Sequence, residues 1–274
     1  MSNVTYEALS VKGLKEVLAE VAATCQELGI DFFLVGAVAR NIWLTANNIG
    51  ASGTKDIDFG VYIPTNNQYT RLREKLIDEH KYSESEQNAF CLIHPKGIQI
   101  DLLPFGEIEN EGKVIVEGKG LQEINLDGFK ESFQYGKNVV SIEDDEYLSC
   151  SIPALAVLKL IAYDDRPERR QKDIKDIRSI CLHYPDLETD NIWENHSDLY
   201  DDEREHQDVG IIVLGREMKK IIEENESLLI RVRSILVKAL NGESNLINLM
   251  IEDSEKETIE GQKRIVELVL EGLK

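Results

Sequence analysis

The stretch Lys55-Asp56-Ile57-Asp58-Phe59-Gly60-Val61 alternates acidic and apolar side chains, the period-two pattern of a strand with two distinct faces. On such a strand Asp56 and Asp58 project from one face while Ile57 and Phe59 enter the core. With 51 acids among 274 residues, two acids flanking one residue arise by chance roughly nine times, so the spacing alone decides nothing. The setting decides more. Two like charges side by side on a sheet face repel unless a cation neutralises them, a choice that a purely structural strand rarely makes.

Reading toward the N-terminus, Asp31-Phe32-Phe33-Leu34-Val35 has strand character, Gly36 ends it, and residues 37–46 read as a helix packing Val38, Ile42 and Trp43 inward. A strand that turns through glycine into a helix offers free backbone N–H groups and a positive dipole end, both suited to phosphate. Further upstream, Leu14, Val17, Leu18, Val21, Cys25 and Leu28 recur at helical spacing, with Gly29 where a helix would end.

Reading toward the C-terminus, residues 67–80 predict an amphipathic helix with Tyr69, Leu72, Leu76 and Ile77 on one side. Phe90-Cys91-Leu92-Ile93 and Ile98-Gln99-Ile100-Asp101-Leu102-Leu103, separated by Pro95-Lys96-Gly97, predict a hairpin. In its second strand the isoleucines share one face and Asp101 shares the other with Gln99. If this strand lies beside the Asp56/Asp58 strand, three carboxylates converge. Hard oxygen donors without His or Cys suit Mg²⁺ or Mn²⁺ and the two-metal chemistry of phosphoryl groups.

Beyond about residue 150 the texture turns helical, with helices expected at 152–164, 168–182, 207–223, 225–240 and 255–272, the last opened by the capping-box pattern Ser254-x-x-Glu257. Ser141-Ile142-Glu143-Asp144-Asp145-Glu146 reads as an acidic loop, which places a soft boundary between a domain of residues 1–145 and one of 146–274. The expectation is an α+β fold with an α/β-type core and mixed sheet, followed by an α-helical domain. Residues 184–208, with ten acids and one basic residue, Arg204, read as a solvated acidic linker holding a short helix.

A net charge of −20 excludes a protein that grips nucleic acid over a broad face. The clearest positive stretch is local: residues 166–178 carry Arg166, Arg169, Arg170, Lys172, Lys175 and Arg178 against three acids, with Arg169–Asp173 and Lys172–Asp176 at i,i+4 spacing. Lys159 stands inside the apolar run Leu158-Lys159-Leu160-Ile161, where a charge is costly unless it reaches water or an anion. Cys25, Cys91, Cys150 and Cys181 lie too far apart for a zinc site or disulfide framework, and the five histidines are scattered. Trp43 and Trp193 read as core anchors. The N-terminus lacks a signal-peptide pattern, and the most apolar window, residues 154–163, is too short to span a bilayer; a cytoplasmic protein without membrane contact is expected.

Gly36-Ala37, a helix, then Asp56-Ile57-Asp58, with Asp101 in Ile98-Gln99-Ile100-Asp101-Leu102-Leu103-Pro104, resembles the signature of the polymerase-β-like nucleotidyltransferases. Leu155-Ala156-Val157-Leu158-Lys159-Leu160-Ile161-Ala162 and Arg170-Gln171-Lys172-Asp173-Ile174-Lys175-Asp176 resemble the helical motifs of the AbiEii/AbiGii-type, toxin-like members of toxin–antitoxin and abortive-infection systems. The resemblance covers roughly residues 30–180. It implies Asp56, Asp58 and Asp101 as ligands of Mg²⁺ (or Mn²⁺), with Asp101 also helping to deprotonate an incoming hydroxyl. It further implies Gly36, Ala37, Lys55 and Lys159 as nucleotide contacts, with Lys172 and Asp173 completing the pocket. The implied activity moves a nucleoside monophosphate from an NTP to a hydroxyl on a tRNA or other RNA end, a protein or a small molecule, with a cognate antitoxin as a further partner. Ala37 departs from the family's usual Gly-Ser or Gly-Gly and removes a hydroxyl from the turn, which leaves open a weakly active or inactive nucleotide- or partner-binding member of the fold.

Overall fold

The computed structural model describes residues 4–50, 53–110, 112–201, 204–251 and 258–274. The chain divides into two compact units, one of Met1–Phe133 and Lys137–Ser151, the other of Gln134–Gly136 and Ile152–Lys274. In chain order the elements are α1 (Leu14–Leu28), β1 (Phe32–Val35), α2 (Gly36–Ala46), β2 (Asp56–Tyr62), α3 (Asn66–His80), β3 (Ser83–Glu84), β4 (Cys91–Ile93), β5 (Gln99–Phe105), β6 (Lys113–Ile115), β7 (Glu123–Asn125), α4 (Phe129–Tyr135), β8 (Lys137–Ile142) and β9 (Asp145–Cys150). The helices α5 (Ile152–Asp165), α6 (Gln171–Leu187), α7 (Thr189–Asn195), α8 (His206–Ile222), α9 (Glu226–Leu240), α10 (Leu246–Leu249) and α11 (Ile259–Gly272) follow. The fold is α+β, with a mixed sheet and a helical C-terminal region.

The sheet of the first unit has the order β3-β4-β5-β2-β1-β9-β8. Strand β2 is central, parallel to β5 and antiparallel to β1, while β1 runs parallel to β9. The alternation of β2 works as the sequence predicts: Ile57, Phe59 and Val61 are fully buried, Asp56 is exposed and Asp58 half-buried. Ile57 and Phe59 register with Ile100 and Leu102 of β5, both fully buried. On the opposite face, beyond the aspartates, Gly60 lets the Phe33 ring lie across the strand, and Phe105, Phe129 and Phe133 join Phe33 edge-on. One end of that face is therefore aromatic core and the other is acidic.

Helix α1 buries Leu14, Val17, Leu18, Val21 and Cys25 and ends at Gly29 with φ +64°, whose N–H bonds Cys25 O and Gln26 O. The acidic segment read as a loop before residue 150 is instead the tip of the β8–β9 hairpin, with Glu143 at φ 52° in the turn. Its pattern is weak because β8 is an edge strand that leaves Val139 exposed. The parallel bridge from Val4 to Ile142 ties the N-terminal segment to this edge.

In the second unit α5 is buried over most of its circumference, as a central helix must be. Helices α8 and α11 meet through Gly215 and Gly272, where a Cβ would stand 2.3 Å from Val269 O and 2.0 Å from Ile212 O respectively. Ser254 and Glu257, the expected capping box, lie outside the described residues; the N-cap of α11 is Thr258, whose Oγ1 accepts from Gly261 N at 3.0 Å. Among the described residues no helix is long and apolar enough to cross a membrane.

Candidate active site

Strand register brings the three predicted carboxylates onto one face. Asp58 and Asp101 are direct Cα partners across the parallel β2–β5 pair, and Asp56 lies two residues from Asp58, opposite Gln99. The same row continues across four strands as Val35, Asp58, Asp101 and Cys91. Neutral donors tend this face: Thr54 Oγ1 donates to Asp56 Oδ1 at 2.5 Å, and Asn88 Nδ2 donates to Asp101 Oδ1 at 3.3 Å. Burial pushes the Cys91 thiol up to about 12, and the neighbouring Asp101 carboxylate adds to the rise.

Gly36 closes the site from the strand-to-helix turn. It takes φ +63°, and a Cβ there would lie 2.0 Å from Asp58 Oδ2 and 2.8 Å from Asp58 Cγ. Only glycine allows both the left-handed backbone and the contact. The turn leads straight into α2, so the first amides of that helix open beside Asp58. Ala37 is half-buried in the first turn, and Lys55 is exposed immediately before β2.

The remaining predicted residues belong to the helical unit. Lys159, 8% exposed, donates to Asp173 Oδ1 at 2.9 Å and to Asp176 Oδ2 at 2.7 Å. Burial alone would lower the Lys159 pKa; the two carboxylates outweigh it and hold the ammonium above its ordinary value. Asp173 Oδ2 is buried without a hydrogen bond, with Arg170 Nη1 at 3.8 Å. The expected surface pairs thus give way to a buried one: Lys159 takes both aspartates, and Arg169 stands 3.9 Å from Glu168. Lys172 is exposed in the first turn of α6.

Asn88, Thr54 and Cys91 were not legible as site residues, because only the tertiary register of β2, β4 and β5 aligns them with the aspartates. A second grouping was equally hidden. Among the described residues, three donors whose ligand atoms all lie within 4.8 Å of one another occur at Glu16, Glu20 and His94, and not on the aspartate face. Its partners give it a structural reading: His94 Nδ1 accepts the Lys96 N–H at 3.2 Å, and His94 Nε2 lies 3.6 Å from Glu20. Tyr82 donates to Glu20 at 2.9 Å, and Glu16 is paired with Lys96.

No family model matches the chain, and no curated protein matches it. Similar solved structures include an antigenic nucleotidyltransferase-like protein from Paracoccidioides brasiliensis, at 14% identity over 85% of this chain and 95% of that one, TM-score 0.41. The antibiotic-resistance factor ANT(2'')-Ia is 14% identical over 61% of this chain and 81% of its own, TM-score 0.40. The Thermotoga maritima CCA-adding enzyme, solved in complex with tRNA, is 12% identical over 96% of this chain and 81% of its own, TM-score 0.27. At such identities and scores residue roles do not transfer.

Proposed function

We propose that the chain is a divalent-metal-dependent nucleotidyltransferase, moving a nucleoside monophosphate from an NTP to a hydroxyl acceptor. The observation that carries this reading is the Asp58–Asp101 register with Asp56 on the same face and Gly36 packed against Asp58. The donor set fits the metal: three carboxylates and two neutral oxygen- or nitrogen-bearing side chains, with an amide-rich helix start alongside, suit Mg²⁺ or Mn²⁺ shared with phosphate oxygens. When bound, such an ion supplies Lewis-acid stabilisation of charge on attacking and leaving oxygens.

The chain's own residues do the rest. Asp56 and Asp58 would hold the divalent ion that accompanies the nucleotide, and the Gly36–Ala37 turn presents backbone N–H groups to its phosphates. Asp101 accepts the proton of the acceptor hydroxyl as that oxygen bonds the α-phosphorus. The bond from the α-phosphorus to the bridging oxygen breaks in line, and its electron pair leaves with pyrophosphate. Within the helical unit the Lys159–Asp173–Asp176 cluster fixes α5 against α6.

The −20 charge favours an acceptor that is not a long polyanion, such as a small-molecule or protein hydroxyl, over a nucleic acid gripped beyond the 166–178 stretch. A toxin-like role with a cognate antitoxin rests on the resemblance of residues 155–176 and is the cellular context we assign. Incubation with each α-³²P-labelled NTP, Mg²⁺ and extract fractionated into RNA, protein and small molecules should move label into one fraction. Asp58→Asn should lower that transfer at least ~10³-fold, as expected for removing a group that stabilises transition-state charge. It should also melt no earlier than the parent, because one of two adjacent like charges is gone. Full transfer by Asp58→Asn would refute the assignment; nucleotide binding with no transfer from any fraction would reduce the chain to a binding module.

A further inference from the structure

Within the acidic segment after α6, the sequence reading of Trp193 as a core anchor fails in an informative way. The indole is 54% exposed. Beneath it lie two rings in one layer: the Tyr200 and His206 planes are within 11° of each other, with centroids 6.3 Å apart and the Tyr200 hydroxyl 2.6 Å from His206 Nδ1. Trp193 stacks on that layer, 4.3 Å and 2° from Tyr200 and 5.9 Å and 10° from His206. These two rings cover its inner face, and among the described residues no other ring stacks on the indole.

His206 Nε2 lies 3.3 Å from the Pro185 carbonyl and Nδ1 lies 2.6 Å from the Tyr200 hydroxyl, so both ring nitrogens are engaged and the plate that carries Trp193 is fixed before any partner arrives. A rigid, outward aromatic face is where a planar cation binds best.

The surroundings supply the matching charge. Asp190 precedes Trp193 by three residues on α7 and so shares its side of the helix, and Glu194 follows it directly. Asp186, Asp190, Glu194 and Glu205 are all exposed, and none of the four has a cationic partner among the described residues. Asp198, by contrast, is already engaged bidentately by Arg216. The unpaired acids extend along the chain on both sides of the indole, a spread that suits an extended basic segment better than a single small cation.

We infer that the outer face of Trp193, with its flanking carboxylates, is a docking platform for an arginine-bearing segment of a partner protein. One guanidinium stacks on the indole while neighbouring basic side chains meet Asp186, Asp190 and Glu194. Nucleic acid is the wrong sign for this surface.

The test is fluorescence anisotropy of labelled deca-arginine and deca-lysine peptides with the full chain at 150 mM salt. Trp193→Ala leaves the net charge untouched, so binding driven by charge alone would survive it. We expect Trp193→Ala to weaken deca-arginine about tenfold, a typical cation–π contribution, and deca-lysine by less than about threefold. Trp193→Phe should recover most of the loss. Asp190→Asn/Glu194→Gln should weaken both peptides and leaves the aromatic layer intact, so a folding defect in Trp193→Ala cannot decide the matter alone. Equal losses for the two peptides in Trp193→Ala, no loss in the double variant, or concentration-dependent self-association that occupies Trp193 in the absence of peptide would each overturn the proposal.

Discussion

In the helical unit Asp173 and Asp176 close on Lys159, whereas on the sheet Asp56, Asp58 and Asp101 line up by strand register with a hydroxyl and an amide as neighbours. The two groupings contain similar acids but solve the problem of adjacent negative charge differently. In the first, the chain supplies its own cation and buries it, so the cluster is complete as built. In the second, backbone pairing forces carboxylates together on a face that is partly open, and glycine at position 36 is needed to let the turn approach them. The first grouping reads as structure, and the second is the one we propose as a site.

The sharpest way to break this contrast is at Lys159. Replacing it with methionine keeps the bulk but leaves buried Asp173 with only Arg170 Nη1, 3.8 Å away, as a counter-charge, which should destabilise the helical unit by up to about 3–5 kcal/mol. The triple variant Lys159→Met/Asp173→Asn/Asp176→Asn should recover most of that, since an apolar or neutral replacement of a whole buried ion cluster is often close to neutral. Urea melts of the three proteins check both statements. If Lys159→Met melts like the parent, Lys159 is not structural and its assignment to phosphate gains ground.

The same contrast explains what could be read from the sequence. The alternation at residues 55–61 and the strand–Gly–helix turn were legible because each is set by local chemistry: period-two burial, and a left-handed turn that only glycine tolerates. That Asp101 stands beside Asp58 depends on strand order, which local pattern does not set and the β2–β5 register does. Lys159 was ambiguous because a lysine in an apolar helix can snorkel or pair, and its partners lie 14 and 17 residues away on another helix. The β8–β9 hairpin is hidden because its turn holds the acids that define a loop in sequence, while its edge position leaves Val139 uncovered. Trp193 was misread because size and apolarity predict burial, whereas stacking on Tyr200 and His206 stabilises the ring with one face outside.

A smaller effect sharpens the sheet side. If the aspartate face takes a divalent ion, Mg²⁺ or Mn²⁺ at ten times its Kd should stabilise the parent by about 1.4 kcal/mol, because the ion binds the folded chain and not the unfolded one. Asp58→Asn and Asp101→Asn should each lose that increment, while Asp176→Asn, in the Lys159 cluster, should retain it. Calorimetric or fluorescence melts with and without the metal measure the difference. An equal rise in all four proteins would point to the compact Glu16, Glu20 and His94 grouping or to nonspecific screening by a highly acidic chain.

The finest distinction concerns two cysteines. Cys91, aligned with Asp101, and Cys181, in the helical core, are both raised from 9.0 to about 12, yet for different reasons. Burial accounts for the rise at Cys181; at Cys91 burial is joined by the Asp101 carboxylate, whose negative charge opposes formation of a thiolate beside it. Because the folded pKa lies above the unfolded one, the stability each thiol contributes is complete below pH 9 and is lost as pH rises toward 12. Asp101→Asn removes the charge, so Cys91 should begin to ionise at a lower pH than in the parent while Cys181 stays where it is. Cysteine Cβ shifts in ¹³C-labelled protein, followed from pH 8 upward, report the thiolate directly and separate the two positions. Should Cys91 titrate identically in parent and Asp101→Asn, the carboxylate does not face the thiol, and a shared acidic surface across β2, β5 and β4 would lose its geometric basis.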